Sequence, residues 1–258
     1  MIGLLRRVAV TLALPVLLIA AWWWLSEGST NTFLPPLRRI LAAFADVWTL
    51  ERIAVDVLPS LVRLAVGYLL AAVVAIGAGV LIGRSRLVRG IAEPGLEFAR
   101  AIPPPVLVPI LMLFAGIGDT MKIIVIAFGA FWPILLNTVE GVRAVDPVLL
   151  DTARSYRFGG FGRLRNLILP AAGPQIVTGL RQALSIAIIL MVISEMFAAR
   201  EGLGFAIIQF QRTFAIPEMW SGTILLGLLG FALAKLFQII ERRVLFWYFG
   251  MRAAARDT

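Results

Sequence analysis

Long apolar runs separated by short basic segments form the main pattern of this chain. A membrane-spanning helix needs about 20 mostly apolar residues. The runs of that kind lie at 8–25, 58–82, 91–114, 121–139, 172–197 and 219–240. The pattern therefore predicts an all-α membrane protein with about six transmembrane helices.

The third run contains the sequence IPPPVLVP, which is unusual inside a membrane helix. Pro103, Pro104 and Pro105 lack the N–H that an α-helix uses for hydrogen bonding. Irregular backbone at membrane depth is tolerated where it lines a cavity or is covered by protein. These prolines predict either a flexible element that lines a pathway or a kink where the helix enters the membrane.

Glycines predict two places of close approach or turning. In the second run, Gly77 and Gly79 form a small-residue face that favours contact with another helix. In residues 198–216, Gly202 and Gly204 predict a turn followed by a short interfacial helix. That segment could line an outer gate or form a structural re-entrant element, and the sequence leaves both open.

Residues 33–56 predict an amphipathic helix between the first two runs. The apolar positions recur at helical spacing, at Leu37, Ile40, Leu41 and Phe44. Such a stripe with a polar opposite face is typical of a helix lying at the membrane surface.

Basic residues are shared unevenly between the two sets of alternating loops. One set, which includes Arg6, Arg7 and both termini, carries 14 Lys and Arg residues, whereas the other carries 6. Because basic loops are retained in the cytoplasm, both termini are predicted to be cytoplasmic. The N-terminal apolar run ends in Trp22, Trp23 and Trp24 with no small-residue cleavage site, so it predicts an uncleaved first span.

We predict a single membrane domain over residues 1–258. Residues 1–56 would form the first span and an outer helix. Residues 57–241 would form the core, with a cytoplasmic loop at about 143–170, and 242–258 would form a cytoplasmic tail. The absence of any long polar tract argues against a second, soluble domain.

Composition excludes most enzyme chemistry. The chain is 60% hydrophobic and only 15% charged, whereas soluble domains carry about a quarter charged residues. It contains no Cys and no His, so thiolate or imidazole catalysis and the usual zinc ligands are excluded. It also contains no G-x-x-x-x-G-K-[ST] phosphate loop. The net charge of +9 is explained by cytoplasmic loops rather than by nucleic-acid binding.

The segment 146–170 has an internal order that a merely basic loop would not need. Asp146 and Pro147 form a helix-start signal. The following positions at helical spacing are Val148, Leu149, Thr152, Ala153 and Tyr156. The sequence FGGFG then predicts a break before a second helix. An exposed apolar stripe indicates a protein-docking surface; the alternative is a basic loop lying on anionic headgroups.

This segment resembles the cytoplasmic signature loop of binding-protein-dependent ABC transporter permeases. In DTARSYRFGGFGRLRNLILP, Asp151, Thr152 and Ala153 match the Glu-Ala-Ala positions, and the later match to Ile-x-Leu-Pro ends at Pro170. Arg157 stands where that signature has glycine, and Gly159 and Gly160 are the candidates to supply the bend. Residues 100–155 and 194–207 resemble the nitrate/sulfonate/taurine branch of the same family.

The resemblance implies a type I ABC importer permease fold with both termini cytoplasmic and short interfacial and coupling helices. The loop residues expected to couple to an ATPase are Asp151, Thr152, Ala153, Tyr156, Arg157, Gly159, Gly160, Leu169 and Pro170. The implied partners are two cytoplasmic ABC ATPase subunits, a second copy of this permease, an external solute-binding protein and the lipid bilayer. The chain itself would bind no cofactor, because the ATPase subunits bind ATP and Mg. The location would be the bacterial cytoplasmic (inner) membrane.

Polar residues inside the runs are candidates for the pathway or its gate. The residues expected there are Pro103, Pro104, Pro105, Asn137, Ser185 and Glu195. For Glu195, a structural ion pair, for example with Arg200, is favoured over contact with solute. Arg63 and Lys235 are expected to snorkel to an interface, and Arg181 to pair with an acid or with loop carbonyls.

Two other functions are compatible with a multi-pass protein. An autonomous secondary transporter would need intramembrane acids for ion coupling, and Glu195 is the only acid well inside the last three runs. A non-transporting membrane scaffold is the second alternative. The implied solute is a small anion or zwitterion such as nitrate, a sulfonate or taurine.

Overall fold

Helices form nearly all of the chain in the computed structural model, which describes the backbone of residues 2–254 and the side chains of 13–197 and 199–251. The predicted cytoplasmic side chains of Arg6, Arg7, Arg252 and Arg256 lie outside the described residues. In chain order the helices are α1 (Ile2–Ser26), α2 (Leu37–Val47), α3 (Leu50–Arg84), α4 (Arg86–Arg100), α5 (Leu107–Ala115), α6 (Asp119–Arg143), α7 (Pro147–Ser155), α8 (Gly160–Phe197), α9 (Leu203–Arg212), α10 (Ile216–Val244) and α11 (Phe246–Ala254). The predicted all-α class is confirmed.

The core consists of α6 packed between α3 and α8. Glycines allow the backbones to approach closely there. A Cβ on Gly79 of α3 would lie 2.6 Å from Cβ of Thr138, and a Cβ on Gly179 of α8 would lie 2.7 Å from the carbonyl oxygen of Pro133. The prediction for Gly77 is wrong, because a Cβ there would meet no atom within 4 Å.

The peripheral helices pack mainly on one another. Helix α10 contacts α9 and α2, and α1 contacts α2. The indole Nε1 of Trp48 donates to Oγ of Ser221 at 3.0 Å, and the rings of Trp22 and Trp220 meet edge to face at 5.7 Å. The predicted amphipathic helix in residues 33–56 is present as α2, which buries Leu37, Ile40 and Ala43 but leaves Leu41 exposed.

Four helices of the described chain, α3, α6, α8 and α10, are long and apolar enough to cross a membrane. The predicted third span, 91–114, is not one helix. Instead α4 and α5 meet at an angle of 72°, with a turn at Pro104–Val106 between them. The consecutive prolines cause this break because they remove backbone donors at the point where a straight helix would need them. Counting the bent pair as one crossing gives five.

Helices α3 and α6 run in the same direction, whereas α8 and the bent pair α4–α5 run in the opposite one, so the bundle has two ends. At one end, Arg84, Arg143 and Arg163 line a common cleft, and we name it the arginine-rich end. At the other, Arg63 contacts Glu195, and we name it the Glu195 end. When the bent pair is counted as one crossing, the direction reverses at each step from α3 to α10, as alternating loops require.

Candidate functional site

Helix α7 lies at the arginine-rich end and begins as the sequence predicts. The Asp146 carboxylate accepts a hydrogen bond of 2.8 Å from the backbone N–H of Val148, and Pro147 occupies the first turn. Val148, Leu149 and Tyr156 are exposed and lie on one face of the helix. This face is an apolar surface that no other described element covers.

Ala153 is not part of that surface. It is 9% exposed and packs against the rest of the chain. The residues of the predicted stripe therefore lie on two faces of the helix. Ala153, together with Leu150, is on the face turned toward the bundle, whereas Val148, Leu149 and Tyr156 are on the exposed face. Asp151 and Thr152 are exposed, and the Asp151 carboxylate accepts a 2.8 Å hydrogen bond from Arg154.

Helix α7 ends in a left-handed turn at Arg157, whose φ is 54°. The N–H of Arg157 donates to the carbonyl of Arg154 at 2.9 Å, and the N–H of Phe158 donates to the carbonyl of Ala153 at 3.0 Å. These two bonds are the pattern of a glycine-type helix C-cap. Arginine thus occupies a conformation that usually favours glycine.

The predicted role of Gly159 and Gly160 in the bend is wrong. Gly159 has φ −60° and precedes α8, and Gly160 is the first residue of that helix. The bend lies two residues earlier, at Arg157. Gly159 is therefore close to the turn in sequence but does not adopt the left-handed backbone conformation that forms it.

The second half of the loop is continuous with the following span. The turn at Leu164–Ile168 is one residue wider than an α-helical turn, and it ends just before Pro170. A wider turn accommodates the missing N–H of proline without ending the helix. Leu169 is half-buried and Pro170 is exposed.

A buried ion cluster ties three core helices together at the Glu195 end. The guanidinium of Arg63 on α3 lies 2.7 Å from an Asp119 oxygen on α6, 2.9 Å from a Glu195 oxygen on α8 and 3.0 Å from a Glu201 oxygen. The Arg63 side chain is 3% exposed, so the prediction that it snorkels to an interface is wrong. Glu195 pairs with Arg63 rather than with Arg200.

Glu195 is fully buried, and its carboxylate has several donors besides Arg63. The hydroxyl of Ser60 lies 2.8 Å from Oε1, and the N–H of Gly204 donates to Oε2 at 2.9 Å. A buried carboxylate with this many hydrogen bonds is compensated for its lost hydration. The arrangement supports the structural role for Glu195, because the side chain does not face an open cavity.

The loop around Gly202 fits closely over this carboxylate. Gly202 has φ 122°, and a Cβ there would lie 2.6 Å from Cδ of Glu195. Its N–H donates to Asp56 at 3.2 Å. The predicted turn is therefore confirmed at Gly202, where only a residue without a side chain fits both the backbone angle and the contact, whereas Gly204 lies inside α9.

Sequence reasoning did not predict this cluster, although three of its members share a simple spacing. Asp56, Ser60 and Arg63 follow one another at i, i+4 and i+7, which is the spacing of one helix face. A polar face that begins an apolar run is a signal that could have identified them. Among the described residues, no group of three His, Cys, Asp or Glu side chains is arranged to hold a metal ion.

A polar stripe runs along the outward face of α8. Its exposed members, spaced by three or four residues, are Gln175, Thr178, Gln182 and Ser185. Asn137 of α6 joins the stripe, because its side-chain oxygen accepts from Gln175 at 2.9 Å and its amide donates to Gln182 at 3.2 Å. Asn137 and Ser185, both predicted for the pathway, therefore lie on the same outward-facing surface.

Two other intramembrane cations have local partners. Arg181 on α8 forms an ion pair with Glu241 on α10, as the prediction of an acidic partner required. The ammonium of Lys235 lies 5.4 Å from the centre of the Phe231 ring. Both contacts reduce the cost of placing a charge beside apolar helices.

The proline turn Pro104–Val106 contacts both α6 and α8. The nine residues of α5 separate it from the Glu195 end. At 1.5 Å per residue, α5 spans about 13 Å, so the turn lies well inside the length of α6. This depth favours the prediction of an element within the bundle over that of a kink at its edge.

Comparison with known proteins shows which family, sequences and solved structures this chain is similar to. Residues 74–246 match the family described as "Binding-protein-dependent transport system inner membrane component". A putative aliphatic sulfonates transport permease protein of Bacillus subtilis is 30% identical, with 92% of this chain and 86% of that protein covered. The taurine transport system permease protein of Escherichia coli is 29% identical, with 94% and 91% covered. An inward-facing MetNI methionine ABC transporter structure has a similar fold, with a TM-score of 0.60 at 22% identity over 74% of this chain and 93% of that one.

Proposed function

Because this chain belongs to the family of binding-protein-dependent transport system inner membrane components, we propose that it forms the translocation pathway of an ATP-driven importer. The solute is a small anion or zwitterion such as a sulfonate, taurine or nitrate. The names of the sulfonate and taurine relatives support this class of solute. The chain acts as a single permease domain and has no catalytic role of its own.

Coupling to the ATPase occurs through residues 146–170. The observation that carries this proposal is the apolar face of Val148, Leu149 and Tyr156 on a capped helix that packs on the bundle through Leu150 and Ala153. Exposed apolar surface on a helix favours a protein partner. Two ATPase subunits bind ATP and Mg, and closure of their dimer moves α7 and, through the continuous α8, the membrane core.

The arginine-rich end faces the cytoplasm, and the protein lies in the bacterial inner membrane. The excess of Arg at this end supports that orientation through the positive-inside rule. The Glu195 end then faces outward, where a solute-binding protein delivers its ligand. The ion cluster around Arg63 holds the outward ends of α3, α6 and α8 at a fixed spacing.

The pathway runs along the polar stripe of α8, between this chain and a second copy. Side chains such as Gln182 and Ser185 would be costly against lipid, so they require water or protein opposite them. The proline turn at Pro104–Val106 lies against α6 and α8 at depth and supplies irregular backbone beside this route. Irregular backbone at such a depth is expected where it lines a cavity.

The test uses the matched variants Val148→Glu and Val244→Glu. Both valines are exposed at the arginine-rich end, but only Val148 lies on α7. The complex is purified with its ATPase, and solute-stimulated ATP hydrolysis and uptake into vesicles are measured. Val148→Glu is expected to release the ATPase or abolish coupled uptake, because it places a charge in an apolar contact. Val244→Glu is expected to behave as wild type.

Normal coupled uptake by the Val148→Glu variant would contradict docking through this face. Uptake by the chain without any ATPase would support a secondary transporter, and a chain that never transports would support a scaffold.

A further inference from the structure

A large cleft opens at the arginine-rich end, on the bundle side of α7. Its volume is about 740 Å³. It lies between the ends of α3 and α6, the first half of α4, one side of α7 and the first part of α8. The basic residues that line it are Arg84, Arg86, Arg89, Arg143, Arg154 and Arg163.

The positive charge of this cleft is only partly balanced. Arg143 pairs with Glu140 and Arg154 with Asp151, each at 2.8 Å, and Glu93 is the one acid in the lining. Six arginines against these three carboxylates leave an excess of three positive charges. Within the described part of the chain, the four other arginines have no carboxylate oxygen within 4.0 Å. Like charges brought together in this way favour an anion between them.

The rest of the lining is apolar. Val142, Val145 and Ile168 are buried, and Leu150 of α7 is half-buried beside them. A free inorganic anion gains nothing from such a surface. A phospholipid headgroup presents a phosphate to the arginines and its glycerol and first acyl carbons to the small apolar area, to which half-buried Leu150 contributes most, so it satisfies both parts of the lining.

The cleft is separate from the apolar docking face of α7. Leu150 and Arg154 face the cleft, whereas Val148 and Tyr156 lie on the opposite side of the helix. An ATPase seated on the docking face therefore leaves the cleft lining turned toward the bundle. Binding of an anion in this cleft therefore does not depend on transport of a solute.

We propose that this cleft binds the phosphate group of an anionic phospholipid headgroup. A tetrahedral phosphate anion is the shared chemistry, and free inorganic phosphate is the other source that carries it. Retention of loops in the cytoplasm requires only that arginines lie on one side. It does not require arginines from four separate segments to converge on one cleft with an apolar floor.

Phosphate fits the converging guanidinium groups because each can donate two parallel hydrogen bonds. A bound headgroup would join α7 to the ends of α3, α4 and α6.

The experiment compares Arg89→Gln/Arg163→Gln with the control Arg242→Gln/Arg243→Gln. Each variant removes two arginines from the same end of the bundle, but Arg242 and Arg243 lie outside the cleft. The full-length protein in neutral detergent is titrated with phosphatidylglycerol, phosphatidylcholine or inorganic phosphate. Bound lipid is counted by native mass spectrometry, and the midpoint of thermal unfolding is followed in parallel.

Wild type and the control variant are both expected to bind phosphatidylglycerol. Both are expected to bind phosphatidylcholine much more weakly than phosphatidylglycerol. The cleft variant is expected to bind phosphatidylglycerol about twenty-five-fold more weakly, since each basic residue near an anionic headgroup contributes about fivefold in affinity. Equal losses in both double variants, or no loss in the cleft variant, would overturn the proposal. Binding of inorganic phosphate with the same dependence on Arg89 and Arg163, without binding of phosphatidylglycerol, would overturn the lipid as the source. The unfolding midpoint of the cleft variant without ligand shows whether that variant is folded. If the midpoint is lower than that of wild type, the variant Arg89→Lys/Arg163→Lys is measured, because it keeps both charges. That variant must then bind phosphatidylglycerol more tightly than the glutamine variant does.

Discussion

Arg63 is the cation on which the buried ion cluster depends. Of its three acidic partners, Asp119 and Glu201 are half-exposed and can be hydrated, whereas Glu195 is fully buried. Arg63→Met is therefore expected to strand one buried carboxylate and to lower stability by about 3–5 kcal/mol. Thermal unfolding in detergent measures the loss.

The double variant Arg63→Met/Glu195→Met is expected to recover a large part of that stability, because it removes the two partners of the buried pair together and leaves Lys122 paired with Asp119. Glu201→Gln serves as the control, since removing a half-exposed partner costs roughly 0–1 kcal/mol. Additive losses in the double variant would show that Arg63 and Glu195 do not interact energetically.

The backbone at Arg157 gives a second prediction at this scale. Arg157→Gly and Arg157→Val remove the same guanidinium, but only valine strains the left-handed backbone. The valine variant is expected to weaken the turn by about 1 kcal/mol. Amide exchange at Phe158, whose N–H closes the turn, should then be about fivefold faster than in the glycine variant. Equal exchange rates would show that the turn does not require this conformation.

Single residues also show where sequence reasoning ends. The N-cap of Asp146 was predictable because the cap and its target lie two residues apart. The pairing of Glu195 with Arg63 joins residues 132 positions apart, and no local pattern specifies which of several cations a buried acid will meet. The burial of Ala153 was missed for the same reason, since helical spacing gives a face but not its neighbour.

At the scale of elements, the contact between α3 and α6 gives a matched pair of variants. A side chain at Gly79 would overlap Thr138, whereas one at Gly77 meets open space. Gly79→Leu is expected to force the helices apart and to lower stability by about 1–3 kcal/mol. Gly77→Leu is expected to leave the unfolding midpoint near that of wild type. Equal effects would mean that the α3–α6 contact does not limit stability.

Most helices were predictable from apolar length alone, and the exceptions have physical reasons. Length and hydropathy located the runs that became α3, α6, α8 and α10. Length and hydropathy also predicted 91–114 as one span, because hydropathy does not depend on the N–H groups that consecutive prolines lack. Conversely, Pro170 lies inside α8 without ending it, because a single widened turn keeps the helix continuous.

At the scale of the whole molecule, the polar stripe on α8 predicts where water lies. The chain has no native cysteine, so a single introduced thiol can be followed without background. Ser185→Cys in the assembled complex is expected to react with a water-soluble maleimide, because the reactive thiolate forms only in contact with water. Val73→Cys, equally outward on the apolar face of α3, is expected to remain unlabelled.

Labelling after denaturation in detergent controls for the presence of both thiols. Protection of Ser185→Cys in the native complex, or equal labelling at both positions, would contradict an aqueous route along α8. The proposed contact of this stripe with a second copy could not be derived from sequence, since the spacing of the polar residues gives a face of α8 but not the neighbour that covers it.

The left-handed turn at Arg157 indicates how the sequences of such loops can change while the backbone conformation is kept. A glycine codon becomes an arginine codon through a change of its first base, so the arginine here is one mutational step from the residue of the signature. The hydrogen bonds that close the turn join backbone atoms only, and they survive that step. A search that scores the glycine letter will rank loops of this kind too low, whereas a search for the handedness of the backbone will retain them.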